Sequence, residues 1–160
     1  MLRDDFNPSV ASLPAALRVL ERAQVQRRFL VFSDASDTGL ETEDRYREFG
    51  REFARSTDVV VFHGPNARAG AAAAQSAGMG PDRAFAFATW WEASLFLASE
   101  LGEGDLVLLR CWETDHPERI LFTQLGAVAC LRTACDRSHL CDSCEQLRFQ
   151  PTALTCFGSR

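Results

Sequence analysis

The sequence predicts an α/β fold, a mostly parallel sheet with helices on both faces, followed by a short cysteine-rich C-terminal tail. Residues 28–50, RFLVFSDASDTGLETEDRYREFG, hold the pattern in miniature. The unbroken apolar run Phe29-Leu30-Val31-Phe32 suits a strand covered on both faces. A polar turn follows, and then a helix with Tyr46, Phe49 and Phe53 at helical spacing. Apolar runs of this kind alternate with helical patterns at least four times, which is the signature of a parallel sheet with right-handed crossovers. Finally, four of the six cysteines fall within 15 residues near the C-terminus, where the alternation has stopped.

At 160 residues the chain is long enough for one domain with a real core. The net charge of −5 leaves no basic footprint, so neither nucleic acid nor an anionic membrane is an expected partner. All 17 basic residues are arginine, so Schiff-base, P-loop and carbamylated-lysine chemistry cannot come from this chain. No apolar run approaches the ~20 residues of a membrane span. The start MLRDDF is no signal peptide, so a cytoplasmic location is expected.

Taken in order, residues 1–8 read as a strand stub and loop, as if the chain had been cut on its N-terminal side. Ser12 is a candidate N-cap with Pro14 in the first turn, and Leu13, Ala16, Leu17 and Leu20 form the buried stripe of a helix to about Ala23. Val59-Val60-Val61-Phe62 is a β-branched, buried strand. The alanine-rich residues 67–77 make a small-sided helix that Gly78 and Gly80 close. Residues 84–87 form a short strand, and Thr89 caps a helix over residues 90–101. Residues 106–109 are another buried strand, residues 113–117 a polar loop and residues 118–125 a short helix.

The sharpest chemical signal is Cys130-x4-Cys135-x5-Cys141-x2-Cys144. Four thiolates in so short a segment can wrap a tetrahedral Zn²⁺, and a chain with no export signal favours metal over disulfides. A tail this short builds no core of its own, so residues 130–160 are expected to form a knuckle held folded by a closed, structural zinc, with residues 1–129 the α/β domain. His139 is a possible substitute for one cysteine. Incidental buried thiols are the alternative.

Three segments, in order, resemble a known family. Residues 2–13, LRDDFNPSVASL, are similar to an Asp-Asp-Ser-Tyr-Asn-Ala-Asn-Pro-x-Ser-Met stretch; residues 32–50 to a Gly-Asp-Met-x-Glu-Leu-Gly turn with its glutamate-rich helix; residues 106–120 to a Val-Leu-Val-Lys-Gly-Ser-Arg strand end. Together they resemble the C-terminal domain of the Mur ligases, most closely the branch that adds D-alanyl-D-alanine to a UDP-muramoyl tripeptide in peptidoglycan biosynthesis. The resemblance implies a Rossmann-like domain that closes onto a central ATPase domain, presents the incoming amine and lends contacts to ATP. By position it assigns Asp4, Phe6 and Asn7 to the nucleotide-facing loop, and Asp34, Asp37 and Arg110 to the amino-acid or peptide substrate, with Arg110 where the family has lysine. The phosphate loop GxxGK[ST] and the UDP-binding part are absent, so ATP and Mg²⁺ would come only with the missing central domain, and no catalytic residue is assigned here. The alternative is a free-standing binding or regulatory module of the same fold with a structural zinc.

Other features have simpler readings. Asp34 and Asp37, like Asp4 and Asn7, also suit plain turns. Trp90-Trp91 reads as core plus helix surface, Cys111 as core, Cys156 as tail, and Glu41, Glu43 and Asp44 as charge favouring a helix N-terminus. His63 and His116 stand at loop positions where either is a ligand or has no role, and most lone histidines have none. Without a GxGxxG fingerprint, a nicotinamide enzyme is disfavoured.

Overall fold

A computed structural model describes residues 1–4, 9–34, 39–137 and 139–152, with only the backbone at position 113. The order is β1 (Leu2–Arg3), α1 (Leu13–Arg22), β2 (Arg28–Phe32), α2 (Thr42–Ser56), β3 (Val59–His63), α3 (Ala67–Ser76), β4 (Ala84–Phe87), α4 (Trp90–Glu100), β5 (Leu106–Arg110), α5 (Glu118–Leu125), β6 (Gly126–Ala127) and β7 (Gln150–Pro151). The first five strands form one parallel sheet in the order β1-β5-β2-β3-β4. The predicted α/β architecture is therefore the observed one. No helix among the described residues is long and apolar enough to cross a membrane.

The period-two alternation of each strand divides the core into two layers. Leu30, Phe32, Val60, Phe62 and Leu108 face α1, α2 and α3. Phe29, Val31, Val61, Val107 and Leu109 face α4 and α5. In the first layer Phe32 meets Phe49 and Phe53 edge-on, with ring centroids 5.2 and 5.0 Å apart, a geometry the ring quadrupoles favour. Phe49 and Phe53 are the helical-spacing aromatics of α2, so the periodicity correctly located the buried face.

Two caps illustrate how local chemistry sets the helix ends. Thr89 begins α4 with a reciprocal capping box, its hydroxyl accepting from the Glu92 amide while the Glu92 carboxylate accepts from the Thr89 amide. Gly78 follows α3 at φ +101°, a left-handed geometry that glycine adopts without a Cβ clash. Ser12 is the N-cap residue of α1 as expected, but its side chain makes no capping bond there, and the Ser9 hydroxyl caps the 3-10 turn Val10–Ser12 that precedes the helix.

Beyond α5 the chain folds back on the domain. The pair β6–β7 is antiparallel, Phe149 packs on Phe122 with ring centroids 4.9 Å apart, and Leu147 is buried. Asp142 takes a bidentate ion pair from Arg3 at 2.7 and 3.1 Å, tying the tail to the edge strand β1.

Candidate functional site

In a parallel sheet the carboxyl ends of the strands all point one way, and ligands sit in the crevice above them. Here that edge collects Asp4 after β1, Arg110 at the end of β5, Asp34 beyond β2, His63 at the end of β3 and Phe87 at the end of β4. Phe6, Asn7 and Asp37, expected beside them, lie outside the described residues.

The structure brings Asp4 and Arg110 together, although the resemblance had given them to different ligands. Arg110 is buried, pairs with the Asp4 carboxylate, and donates to the Ser9 carbonyl at 2.5 Å and the Ser12 hydroxyl at 2.9 Å. The backbone amide of Asp4 in turn donates to the Leu109 carbonyl at 2.8 Å. The Ser12 hydroxyl thus serves the guanidinium and the Ser9 carbonyl rather than the first amides of α1.

Asp34 is held from two sides. Asn66 donates to one carboxylate oxygen at 2.9 Å, and the nearly buried Arg45 reaches the other at 3.3 Å. Tyr46 stands beside it, donating to the Ser33 carbonyl at 3.3 Å, and burial followed by the Asp34 charge pushes its hydroxyl well above the usual phenol range. A carboxylate fixed by a cation at a strand's end, with its side chain still 29% exposed, can meet an ammonium group from solvent.

His63 is a core histidine. Its Nε2 lies 3.4 Å from the Cys111 sulfur, and burial lowers its pKa to about 4, with Asp115 opposing and Arg119 reinforcing that shift. Beside it a cleft of about 570 Å³ opens between Gly64, Pro65, Arg68, Phe87, Ala88 and Glu92, above the ends of β3 and β4. Trp90 is buried, as expected, with Arg119 4.5 Å over its ring and its Nε1–H donated to the Arg132 carbonyl at 2.8 Å.

The second cluster is the tail. Cys130, Cys135, Cys141 and Cys144 are free thiols that line one small cavity, together with His139 and His116. Cys156 lies outside the described residues. Among the described residues, the side chains whose metal-binding atoms come within 4.8 Å of one another are His116, Glu118 and Cys141, all buried. Glu118 accepts the Cys141 amide at 2.9 Å, and burial, then the Glu118 charge, pushes the Cys141 thiol up to about 12. His116 and Glu118 were not recognisable as neighbours of the cysteines, since no ligand-like spacing links positions 116 and 118 to position 141. Only the return of the tail onto α5 brings them together.

Comparison with known proteins follows this geometry. The family model described as Mur ligase, glutamate ligase domain, matches residues 1–110. Among solved structures, the chain is similar to MurF from Acinetobacter baumannii, with a TM-score of 0.61 and 22% identity over 76% of this chain and 27% of that one. It is also similar to the MurF ligase from Thermotoga maritima solved in complex with ADP, with a TM-score of 0.57 and 18% identity over 76% of this chain and 26% of that one. The chain thus spans about a quarter of the length of each. No curated protein sequence matches it.

Proposed function

Since the chain belongs to the Mur ligase family, through its glutamate ligase domain, we propose that it is the amine-presenting, nucleotide-closing domain of a Mur-type ATP-dependent amide ligase in the cytoplasm. The observation that carries this reading is the family match over residues 1–110, which takes in the carboxyl ends of all five parallel strands. On this reading the chain is not catalytic alone. A central ATPase domain, of the same or another chain, supplies ATP and Mg²⁺ chemistry and converts a carboxylate to an acyl phosphate. The amine of an amino acid or small peptide then attacks that carbonyl carbon, a C–N bond forms, and inorganic phosphate leaves.

The chain's own residues would position the partners. Asp34, held at the strand end by Arg45 and Asn66, would offer its carboxylate to the incoming ammonium, with Asp37 as the second carboxylate of that loop. Asp4, Phe6 and Asn7 would face the nucleotide. Arg110 would reach substrate indirectly, by fixing Asp4 and the turn at Ser9. The experiment is purification of the native protein with intact mass analysis, followed by an assay of amine-dependent ADP release. A species well above 17.8 kDa, or a copurifying ATPase chain, whose KM for amine rises in Asp34→Asn while its KM for ATP holds, supports the reading. A native species at 17.8 kDa with no ATPase partner overturns it.

The second reading is a free-standing binding module of the same fold with a structural zinc, and its zinc rests on one observation. All four clustered cysteines of the tail line a single cavity as free thiols. The zinc itself fits either reading, because a closed set of protein ligands makes a site that folds the tail and performs no chemistry.

A further inference from the structure

The cavity of the tail has a wall that belongs to the α/β domain. His116, in the turn just before α5, is 2% exposed and faces the cysteines across that cavity. Neither of its ring nitrogens has a hydrogen-bond partner among the described residues. Buried imidazoles seldom forgo both bonds, because each nitrogen gave up water on folding. A ligand that the ring is built to receive accounts for the omission.

The donors around it are soft. Cys141 has its sulfur within 4.8 Å of the His116 ring, and Cys144 stands three residues further, at the CxxC spacing of a zinc knuckle. Cys130 and Cys144 line the same cavity as His116 and Cys141. Cys135 borders this cavity as well, but unlike the other three it also lines a neighbouring cleft with His63, Thr89 and Trp90. His139 is exposed, whereas His116 is buried.

Resting on the reading of the tail as a zinc knuckle, we infer that the zinc ligands are His116, Cys130, Cys141 and Cys144, a Cys₃His site in which a residue of the α/β domain completes the tail's metal centre. Cys135 is then outside the set. The metal thereby fastens the tail to α5, where Leu147, Phe149 and the Cys141 amide already dock. Glu118 is buried beside both His116 and Cys141, and on metal binding it is the carboxylate placed to take the ring's other N–H and set its tautomer. Three thiolates and one imidazole select zinc over magnesium or calcium, which need oxygen donors.

The test is metal analysis of the intact protein as purified, for the parent chain and for Cys135→Ser, His116→Asn and His116→Cys, with cobalt replacing zinc for spectroscopy. Asparagine suits the position because His116 sits at φ 50°, a left-handed geometry that Asn tolerates. We expect one zinc per chain in the parent and in Cys135→Ser, and a loss of at least about tenfold in zinc affinity in His116→Asn. In His116→Cys the thiolate-to-cobalt charge-transfer absorption should rise by about a third, as the thiolate count goes from three to four. Loss of zinc in Cys135→Ser, with zinc retained in His116→Asn, overturns the ligand assignment and leaves the zinc knuckle intact. If His116→Asn fails to fold, an unchanged cobalt spectrum in His116→Cys overturns the assignment in its place. A parent chain without zinc, or with an iron–sulfur chromophore, overturns both.

Discussion

The guanidinium of Arg110, at the end of β5, is paired with the carboxylate of Asp4, 106 residues earlier in the chain and just beyond β1. The contact exists because β5 inserts between β1 and β2, so the two strand ends lie side by side. Arg110 is 1% exposed whereas the Asp4 side chain is 37% exposed, so the two ends of the pair respond differently to removal.

Asp4→Ala takes the carboxylate from a buried guanidinium that also donates to the Ser9 carbonyl and the Ser12 hydroxyl, neither of which carries a charge. It should cost about 2 kcal/mol of stability, the order expected for stranding a buried charged donor. Arg110→Met fills similar space without a charge, and Asp4 can then turn to water, so the cost should stay under about 1 kcal/mol. Urea denaturation of both variants and of the double variant measures the difference, and equal losses would contradict the asymmetry.

His63 gives a pH dependence of defined sign. Its folded pKa, near 4, lies below the ordinary 6.5, so between those values the unfolded chain binds a proton that the folded chain refuses. Stability is full above about pH 6.5 and falls as the pH drops through the window toward 4. Thermal unfolding at successive pH values should show this slope in the parent and a flatter one in His63→Gln.

Gly50 marks the closest approach of two helices. A Cβ there would lie 2.6 Å from the backbone carbon and oxygen of Ala73 and 2.8 Å from the Ala74 nitrogen, so α3 itself would have to move. Gly50→Ala should destabilise by about 1–3 kcal/mol, the usual cost of overpacking, despite the better helix propensity of alanine. A rise in the denaturation midpoint would refute the close packing.

Trp90 ties the tail to α4 through the Nε1–H donated to Arg132. Trp90→Phe keeps a ring beneath Arg119 but drops that bond, at a cost of about 1 kcal/mol. Trypsin should then cut after Arg132 and Arg137 faster than in the parent chain, while sites within α1 and α2 stay equally protected.

The sequence by itself determined the elements and their buried faces. Alternation in Phe29–Phe32 and helical spacing of Tyr46, Phe49 and Phe53 are local periodicities, and burial follows from them without knowledge of the partners. The Thr89 cap and the Gly78 stop were legible for the same reason, since a cap is decided within one turn of chain. Four cysteines in one short segment marked out the stretch that lines the small cavity of the tail.

What only the tertiary structure decided are the pairings between distant segments. Ser12 stands at the N-cap of α1 as its sequence context suggests, but its hydroxyl serves Arg110, a residue nearly a hundred positions away. His116 looked like a loop histidine and instead lies buried against the tail's cysteines. Such contacts are set by strand order and by where the chain turns back, and a linear spacing carries no trace of either. The physical reason is that a buried polar group is satisfied by whichever partner the packing of apolar faces brings within about 3 Å, wherever that partner stands in the chain.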